Sequence, residues 1–405
     1  MNTSRKIVIV GGGPAGVAAA LAAKQQDAAA EVVLIHDEAC EPYEKPPLSK
    51  AVLTGRSKPE DAPIAGAKGV AGHGVTMKLG TRVTAIERAA RTVETAAERI
   101  PYDALILATG SVNRVLPMFP RGPGIHYLRT EAEARALKAQ LDRSKSLLLI
   151  GGGVVGLEIA ASARELGLAV TVIEIAPRIL ARVCDEETSA LIHVGHRERG
   201  VDIRVGAVVA TSRAADGDIA VTLAGGETIA ADFIVVGAGA VAEDSLAKAA
   251  GFTAENGIVV DDHCRTSDPA IFAAGDCTRF PGPDGPVRLE NWRHGQEHGA
   301  VAGRNAAGGD AAYNTAPSFW SEQFDMYIQG VGWPVAKPSA RVRRPLGTNA
   351  TLLFELDGPH IAYAVGINAQ REIAVARRLI ERRVPVDAGE LADPLKPLAQ
   401  MLKAK

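Results

Sequence analysis

Paired cysteines are missing from this chain of 405 residues: its four cysteines, Cys40, Cys184, Cys264 and Cys277, are scattered, and no two form a C-x-x-C. That spacing supplies neither a disulfide framework nor the ligands of a zinc site or iron–sulfur cluster, and it suits a reducing compartment. Long apolar runs are missing too. The N-terminal run Ile7–Val10 has only four residues, too short for a signal segment or a membrane span, so a soluble, cytoplasmic protein with no membrane partner is expected. Neither sign of charge dominates. The formal net charge of −2 excludes the global field of a nucleic-acid binder. Aromatic residues make up 4%, so each of the three tryptophans carries weight. The length asks for two or three domains.

Glycine, by contrast, is plentiful, and it is concentrated where it carries chemistry. The β-branched run Ile7-Val8-Ile9-Val10 leads into Gly11-Gly12-Gly13-Pro14-Ala15-Gly16 and then an alanine-rich segment. Leu147-Leu148-Leu149-Ile150 leads likewise into Gly151-Gly152-Gly153-Val154-Val155-Gly156. Both read as strand, G-x-G-x-x-G, helix. The first glycine closes the turn, the second lets a pyrophosphate approach the backbone, and the third lets the helix pack on the strand. The helix start then offers free N–H groups and a positive dipole end to the phosphates. One copy is weak evidence; two copies, each followed by an acid at the expected distance, are not.

Those acids are Asp37 and Glu174. Glu174 ends the apolar strand that begins at Ala169, where a carboxylate can accept hydrogen bonds from a ribose diol. A 2′-phosphate at ~4 Å would be repelled by about 1 kcal/mol in bulk water and about 4 kcal/mol at an effective dielectric of about 20. NADH is therefore expected over NADPH. Three further segments fit a protein with two dinucleotide sites. Tyr102–Gly110 is a buried strand ending in Ala108-Thr109-Gly110, and Phe233–Gly239 is a comparable strand that carries Gly237. Thr266–Cys277 ends in Gly275-Asp276, where a carboxylate can bind a ribityl hydroxyl of a flavin.

With these motifs in place, the chain resembles the FAD-dependent, NADH-oxidising ferredoxin reductases that serve bacterial cytochrome monooxygenases and Rieske-type dioxygenases. The specific stretches are Pro42–Lys50, Gly151–Glu158, Leu289-Glu290-Asn291-Trp292 and Pro317–Phe324. The resemblance implies an α/β fold of the glutathione reductase type: two Rossmann-like dinucleotide-binding domains, for FAD and NADH, plus a C-terminal α+β interface domain. It implies an FAD domain in two parts, 1–112 and 236–315, an NADH domain at 113–235 and a C-terminal domain at 316–405. Gly11, Gly13, Pro14, Ala15, Gly16 and Asp37 would hold the adenosine and pyrophosphate of FAD. Lys45, Lys50, Val83, Ala108, Thr109, Gly110, Arg129, Gly275, Asp276 and Trp292 would complete the flavin site. Gly151, Gly153, Val154, Val155, Gly156, Glu158, Glu174 and Gly237 would serve NADH. Two positions depart from the family pattern: Lys45 replaces the commoner arginine, and His36 precedes Asp37 where a small residue is usual.

The stretch Cys40–Leu53 decides the chemistry. Disulfide reductases of similar layout carry a cysteine pair here, whereas this chain has Pro46-Pro47-Leu48-Ser49-Lys50. The two prolines suit the first turn of a helix, which would hold Ser49 and Lys50 toward the flavin. There Lys50 would stabilise a reduced, anionic flavin and pair with Glu158. With no disulfide to receive an electron pair, the flavin must pass electrons singly to a separate acceptor. A [2Fe–2S] ferredoxin is expected, with a rubredoxin as second candidate. Lys50, Glu158 and Trp320, the last on the ferredoxin side, are the expected catalytic residues.

Two other functions share these motifs. An NADH oxidase, peroxidase or disulfide reductase would use Cys40, which stands ten residues before Lys50. A flavoprotein like apoptosis-inducing factor would act by redox-controlled binding. No metal site is expected: His294 and His298 have helical spacing but no third ligand, and a polar surface near the flavin edge is their expected place. His193 and His196 are expected in solvent. In the last third, Leu352–Leu356 and His360–Val365 read as a hairpin around Asp357-Gly358, followed by a helix from Glu372 to Arg383. Between Lys337 and Arg383 nine basic residues stand against four acids, a patch suited to an acidic ferredoxin. The oligomeric state, the native ferredoxin, the oxygenase and its substrate are not written in these motifs.

Overall fold

The computed structural model describes residues 4–215 and 218–403. The chain forms two compact units. The first comprises 1–45, 59–112 and 240–315; the second comprises 46–58, 113–239 and 316–405.

In the first unit, Lys6–Val10 lies at the centre of a five-stranded parallel sheet, in the order Ile271–Ala273, Ala104–Leu107, Lys6–Val10, Glu31–Ile35, Val75–Lys78. The central strands are apolar on both faces, as burial between layers requires. Helix Pro14–Gln26 follows the first glycine loop and packs closely on helix Trp292–Ala306. Gly299 and Gly303, one turn apart, permit this: a Cβ at either would meet a backbone oxygen of the facing helix, Ala15 or Ala19, at 2.1 Å.

The second unit repeats the device. Its parallel sheet runs Val201–Val205, Ala169–Glu174, Ser146–Ile150, Phe233–Val236, Ile125–His126. Helix Val154–Glu165 follows the second glycine loop. The same unit holds an antiparallel sheet in the order Ser318–Gln323, Met326–Gly332, His360–Ile367, Thr351–Asp357, Ala340–Pro345. The expected hairpin is the pair Thr351–Asp357 and His360–Ile367, and the expected helix runs Gln370–Glu381 with Ile373, Ala376 and Leu379 inward. Among the described residues, no helix is long and apolar enough to cross a membrane.

The proline stretch differs from expectation in two ways. Pro46–Ser49 is a short 3₁₀ turn followed by further turns rather than the start of an α-helix. Two successive prolines remove two N–H donors and favour the tighter turn. Residues 46–58, within 1–112 by sequence, also belong to the second unit. The Ser162 hydroxyl there donates to the Ser49 carbonyl at 2.8 Å, and Leu53 joins the core of the second nucleotide sheet.

Candidate functional site

The two glycine loops match role by role. Gly11 and Gly151 have φ of +114° and +111°, and a Cβ on them would meet the Ala108 oxygen at 2.1 Å and the Gly237 oxygen at 2.5 Å. Gly16 and Gly156 pack their helices onto the loop, where a Cβ would lie 1.8 Å and 2.4 Å from the oxygens of Gly11 and Gly151. Gly13 and Gly153 differ from all of these: a Cβ there would meet nothing within 4 Å. Each is a helix N-cap without a side-chain hydrogen bond. The backbone is thus bare and open where a pyrophosphate would lie against the helix start. Both loops fit a dinucleotide.

Register identifies the residue beside each loop. Val10 pairs with Ile35 and Ile150 with Ile173, and the N–H groups of Gly11 and Gly151 donate to the oxygens of Ile35 and Ile173, both at 2.8 Å. The next residues, His36 and Glu174, are therefore equivalent. Glu174 accepts from the N–H of Gly152 at 2.6 Å and of Ala176 at 2.7 Å, which fixes its carboxylate at the loop. His36 is buried with its ring against Gly12, and burial lowers its pKa. Asp37 lies one residue further, half in solvent, 3.0 Å from Arg82 Nη2.

Other expected flavin-site residues in the first unit are held by partners of their own. The Thr109 hydroxyl donates to the Glu243 oxygen at 2.5 Å, and Gly110 has φ of +73°. Asp276 Oδ2 accepts from Ser111 Oγ at 2.9 Å. The Trp292 indole N–H donates to the Glu44 carboxylate, whose pKa burial raises against that hydrogen bond. Lys45 sits 3.5 Å from Glu38 Oε1 with its ammonium over the Tyr43 ring. Val83 opens the strand Val83–Glu87 and is half-buried.

In the second unit the polar groups converge on Glu158, which is only 4% exposed. Lys50 Nζ lies 3.3 Å from its Oε2, and the Ser49 hydroxyl donates to the same oxygen. The Ser321 hydroxyl donates to Oε1 at 2.7 Å. Val154 and Val155 form the first turn of the same helix. Trp320 is half-buried on the strand that carries Ser321, and Arg129 is half-buried just before Thr130, the N-cap of helix Glu131–Leu141.

Residues 5–299 match the pyridine nucleotide-disulphide oxidoreductase family. The chain belongs to that family. Residues 318–402 match the reductase C-terminal family. The chain is 40% identical over 376 residues to the ferredoxin–NAD(+) reductase component of the anthranilate 1,2-dioxygenase system of Burkholderia cepacia, covering 92% of this chain and 93% of that one. It is 37% identical to rhodocoxin reductase of Rhodococcus erythropolis over 392 residues, 96% and 92% of the two chains. A solved structure of the covalent putidaredoxin reductase–putidaredoxin complex aligns over 100% of both chains with a TM-score of 0.93 at 32% identity. Membership in the pyridine nucleotide-disulphide oxidoreductases, with these relatives, implies FAD and NADH.

Three expectations about charged and polar residues are corrected. His294 and His298 are fully buried, not at a surface: they stack on each other at 4.8 Å, and His298 Nδ1 accepts from the Gly275 N–H at 3.2 Å. They belong to the inward stripe of helix Trp292–Ala306, so spacing alone could have placed them inside. His196 is likewise buried, one turn after the buried Ile192, while His193 is partly exposed. The basic patch is smaller than its count. Arg344 is buried and donates to the Leu391 oxygen at 3.0 Å, while Arg341, Arg343 and Arg377 pair with Glu355, Glu187 and Glu381. Arg371 and Arg378 remain on the exposed face of the last long helix, Arg382 is its exposed C-cap, and Lys337 and Arg383 are exposed as well. Sequence reasoning also missed Ser321 and Gln323, although their alternation on one strand puts them on the same face.

Proposed function

We propose that this chain is an FAD-dependent NADH:ferredoxin oxidoreductase of the cytoplasm, delivering single electrons to a separate [2Fe–2S] ferredoxin that feeds an oxygenase. The observation that carries it is the composition of the Glu158 centre. Residues 46–58 bring Ser49 and Lys50 to Glu158 where a disulfide reductase needs two cysteines, and none of the four cysteines is in a disulfide, three of them being buried. Bound FAD supplies a centre that accepts a hydride and releases electrons one at a time.

The chain's residues then divide the work. Gly11, Gly13 and Gly16, with Gly275 and Asp276, hold FAD; Gly151, Gly153, Gly156 and Glu174 hold NADH. Lys50, paired with Glu158, would offer positive charge to a reduced flavin. Trp320 is the proposed exit toward the ferredoxin. Arg371 and Arg378, seven residues apart on one helical face, with Arg382 at the helix C-cap, suit an acidic partner. Cysteines outside any disulfide fit a reducing compartment.

The test is anaerobic reduction of a purified [2Fe–2S] ferredoxin by NADH, followed by loss of cluster absorbance, for the wild-type protein and Cys40→Ser. Equal rates support the proposal. Loss of the activity in Cys40→Ser would move the chemistry to the thiol.

A further inference from the structure

Beyond Lys50 and Ser49, the Glu158 carboxylate is held from its other side by a line of buried side chains. His196 Nε2 lies 2.9 Å from Gln323 Oε1; Gln323 Nε2 donates to Ser321 Oγ at 2.9 Å; Ser321 Oγ donates to Glu158 Oε1 at 2.7 Å. Gln323 and His196 have no solvent exposure and Ser321 has 1%. These groups come from three places far apart in sequence: helix Glu186–Glu198, strand Ser318–Gln323 and helix Val154–Glu165.

We propose that His196, Gln323 and Ser321 are positioning residues that act as one directional hydrogen-bond chain, holding Glu158 as an ionised, fixed acceptor for the nicotinamide end of NADH. The inference rests on the reading of Glu158 as a nicotinamide-site residue.

Proton counting gives the chain its direction. Glu158, when ionised, only accepts, and it takes Ser49 and Lys50 on Oε2 and Ser321 on Oε1. A serine hydroxyl has one proton. Because the Gln323 amide N–H occupies a lone pair of Ser321, that proton is free to point at Glu158. The amide is in turn oriented by His196, whose Nε2–H is taken by the Gln323 carbonyl oxygen. His196 Nδ1 is buried without a partner, so the ring carries its single proton on Nε2. Burial keeps the ring neutral, with its pKa lowered to about 4. Turning the amide over would direct the Ser321 proton to Gln323 and strip Glu158 Oε1 of its donor. A buried carboxylate with fewer donors is less firmly fixed as an acceptor.

The charged and titratable neighbours are few. Lys50 faces Glu158 from the 3₁₀ segment. Arg199 and His193 lie near His196 on its own helix, and the Phe324 ring packs edge-on against the imidazole at 5.1 Å.

The experiment is a calorimetric titration of oxidised holoenzyme with NAD⁺ across pH 6 to about 8, on wild type, Ser321→Ala, Ser321→Thr, Gln323→Leu and Glu158→Gln. Anaerobic bleaching of the flavin by NADH is followed over the same range, and thermal melts report folding. Ser321→Ala and Gln323→Leu should bind NAD⁺ about tenfold more weakly. Ser321→Thr, which keeps the hydroxyl, should restore wild-type affinity. Folded Ser321→Ala and Gln323→Leu proteins that titrate as wild type at every pH would overturn the positioning role. If Glu158→Gln itself binds NAD⁺ as wild type does, the reading of Glu158 has failed, and the inference with it.

Discussion

Lys50 and Glu158 form a pair with Nζ 3.3 Å from Oε2, the lysine side chain 16% exposed and the glutamate 5%. The pair joins the proline-bounded turn to the first helical turns after the second glycine loop. Neither residue is stable there alone: removing one leaves the other charge desolvated and unmatched. Lys50→Met and Glu158→Gln should each lower the melting temperature and slow flavin reduction by NADH. The double variant should lose less than the sum, with a coupling of about 1–3 kcal/mol in a double-mutant cycle. Additive losses would mean that the two side chains do not act together.

The open faces of Gly13 and Gly153 test the proposed assignment of FAD to the first loop and NADH to the second. Both residues have extended backbone, with φ of −76° and −81°, that alanine adopts without strain. Gly13→Ala should fold and melt close to wild type yet bind FAD weakly, as measured by flavin fluorescence on dialysis. Gly153→Ala should keep its flavin and lose NADH affinity. By contrast, Gly16→Ala, with its Cβ 1.8 Å from a backbone oxygen, should fail to fold.

Glu174 is the proposed selector between NADH and NADPH. Its carboxylate is fixed by the N–H groups of Gly152 and Ala176, so a 2′-phosphate cannot push it aside cheaply. Glu174→Ala should move the NADH/NADPH ratio of kcat/KM toward NADPH by roughly one to three powers of ten, the repulsion removed. Steady-state assays with both coenzymes measure it directly.

Acid should unfold the protein through its buried histidines. Burial lowers the pKa of His196 and of His294 to about 4, Asp276 opposing this for His294, and holds that of His298 well below its ordinary value. In the unfolded chain each titrates near its ordinary value of about 6.5. Between these values the unfolded state binds more protons, so the stability is complete above about pH 6.5 and is lost as pH falls toward 4, by up to about 1.4 kcal/mol per pH unit for each group. Denaturant melts at pH 7, 6 and 5 should show this fall. His196→Phe should flatten part of it.

The parts of this structure that were legible in the sequence are those in which a local pattern decides the outcome. Gly11–Gly16 and Gly151–Gly156 needed only their spacing, and the hairpin around Gly358 needed only alternation and a turn residue. What was not legible depends on partners distant in the chain. Gln323 meets His196 across 127 residues and Ser321 meets Glu158 across 163, so nothing near Ser321 announces its partner. His294 and His298 looked like surface residues because histidine is polar, yet stacking with Phe280 and Tyr313 makes a buried place for them. Arg344 raised a local charge count while being tied to backbone oxygens inside the C-terminal region. His36 was seen as a departure, but only the strand register shows it to be the equivalent of Glu174.

The central claim is that electrons leave this chain singly, to an iron–sulfur partner. The most direct measurement mixes the purified holoenzyme with NADH and cytochrome c, with and without a small [2Fe–2S] ferredoxin. Cytochrome reduction that requires the ferredoxin is the predicted result. Rapid NADH consumption by oxygen or peroxide, with no gain from ferredoxin, would contradict it.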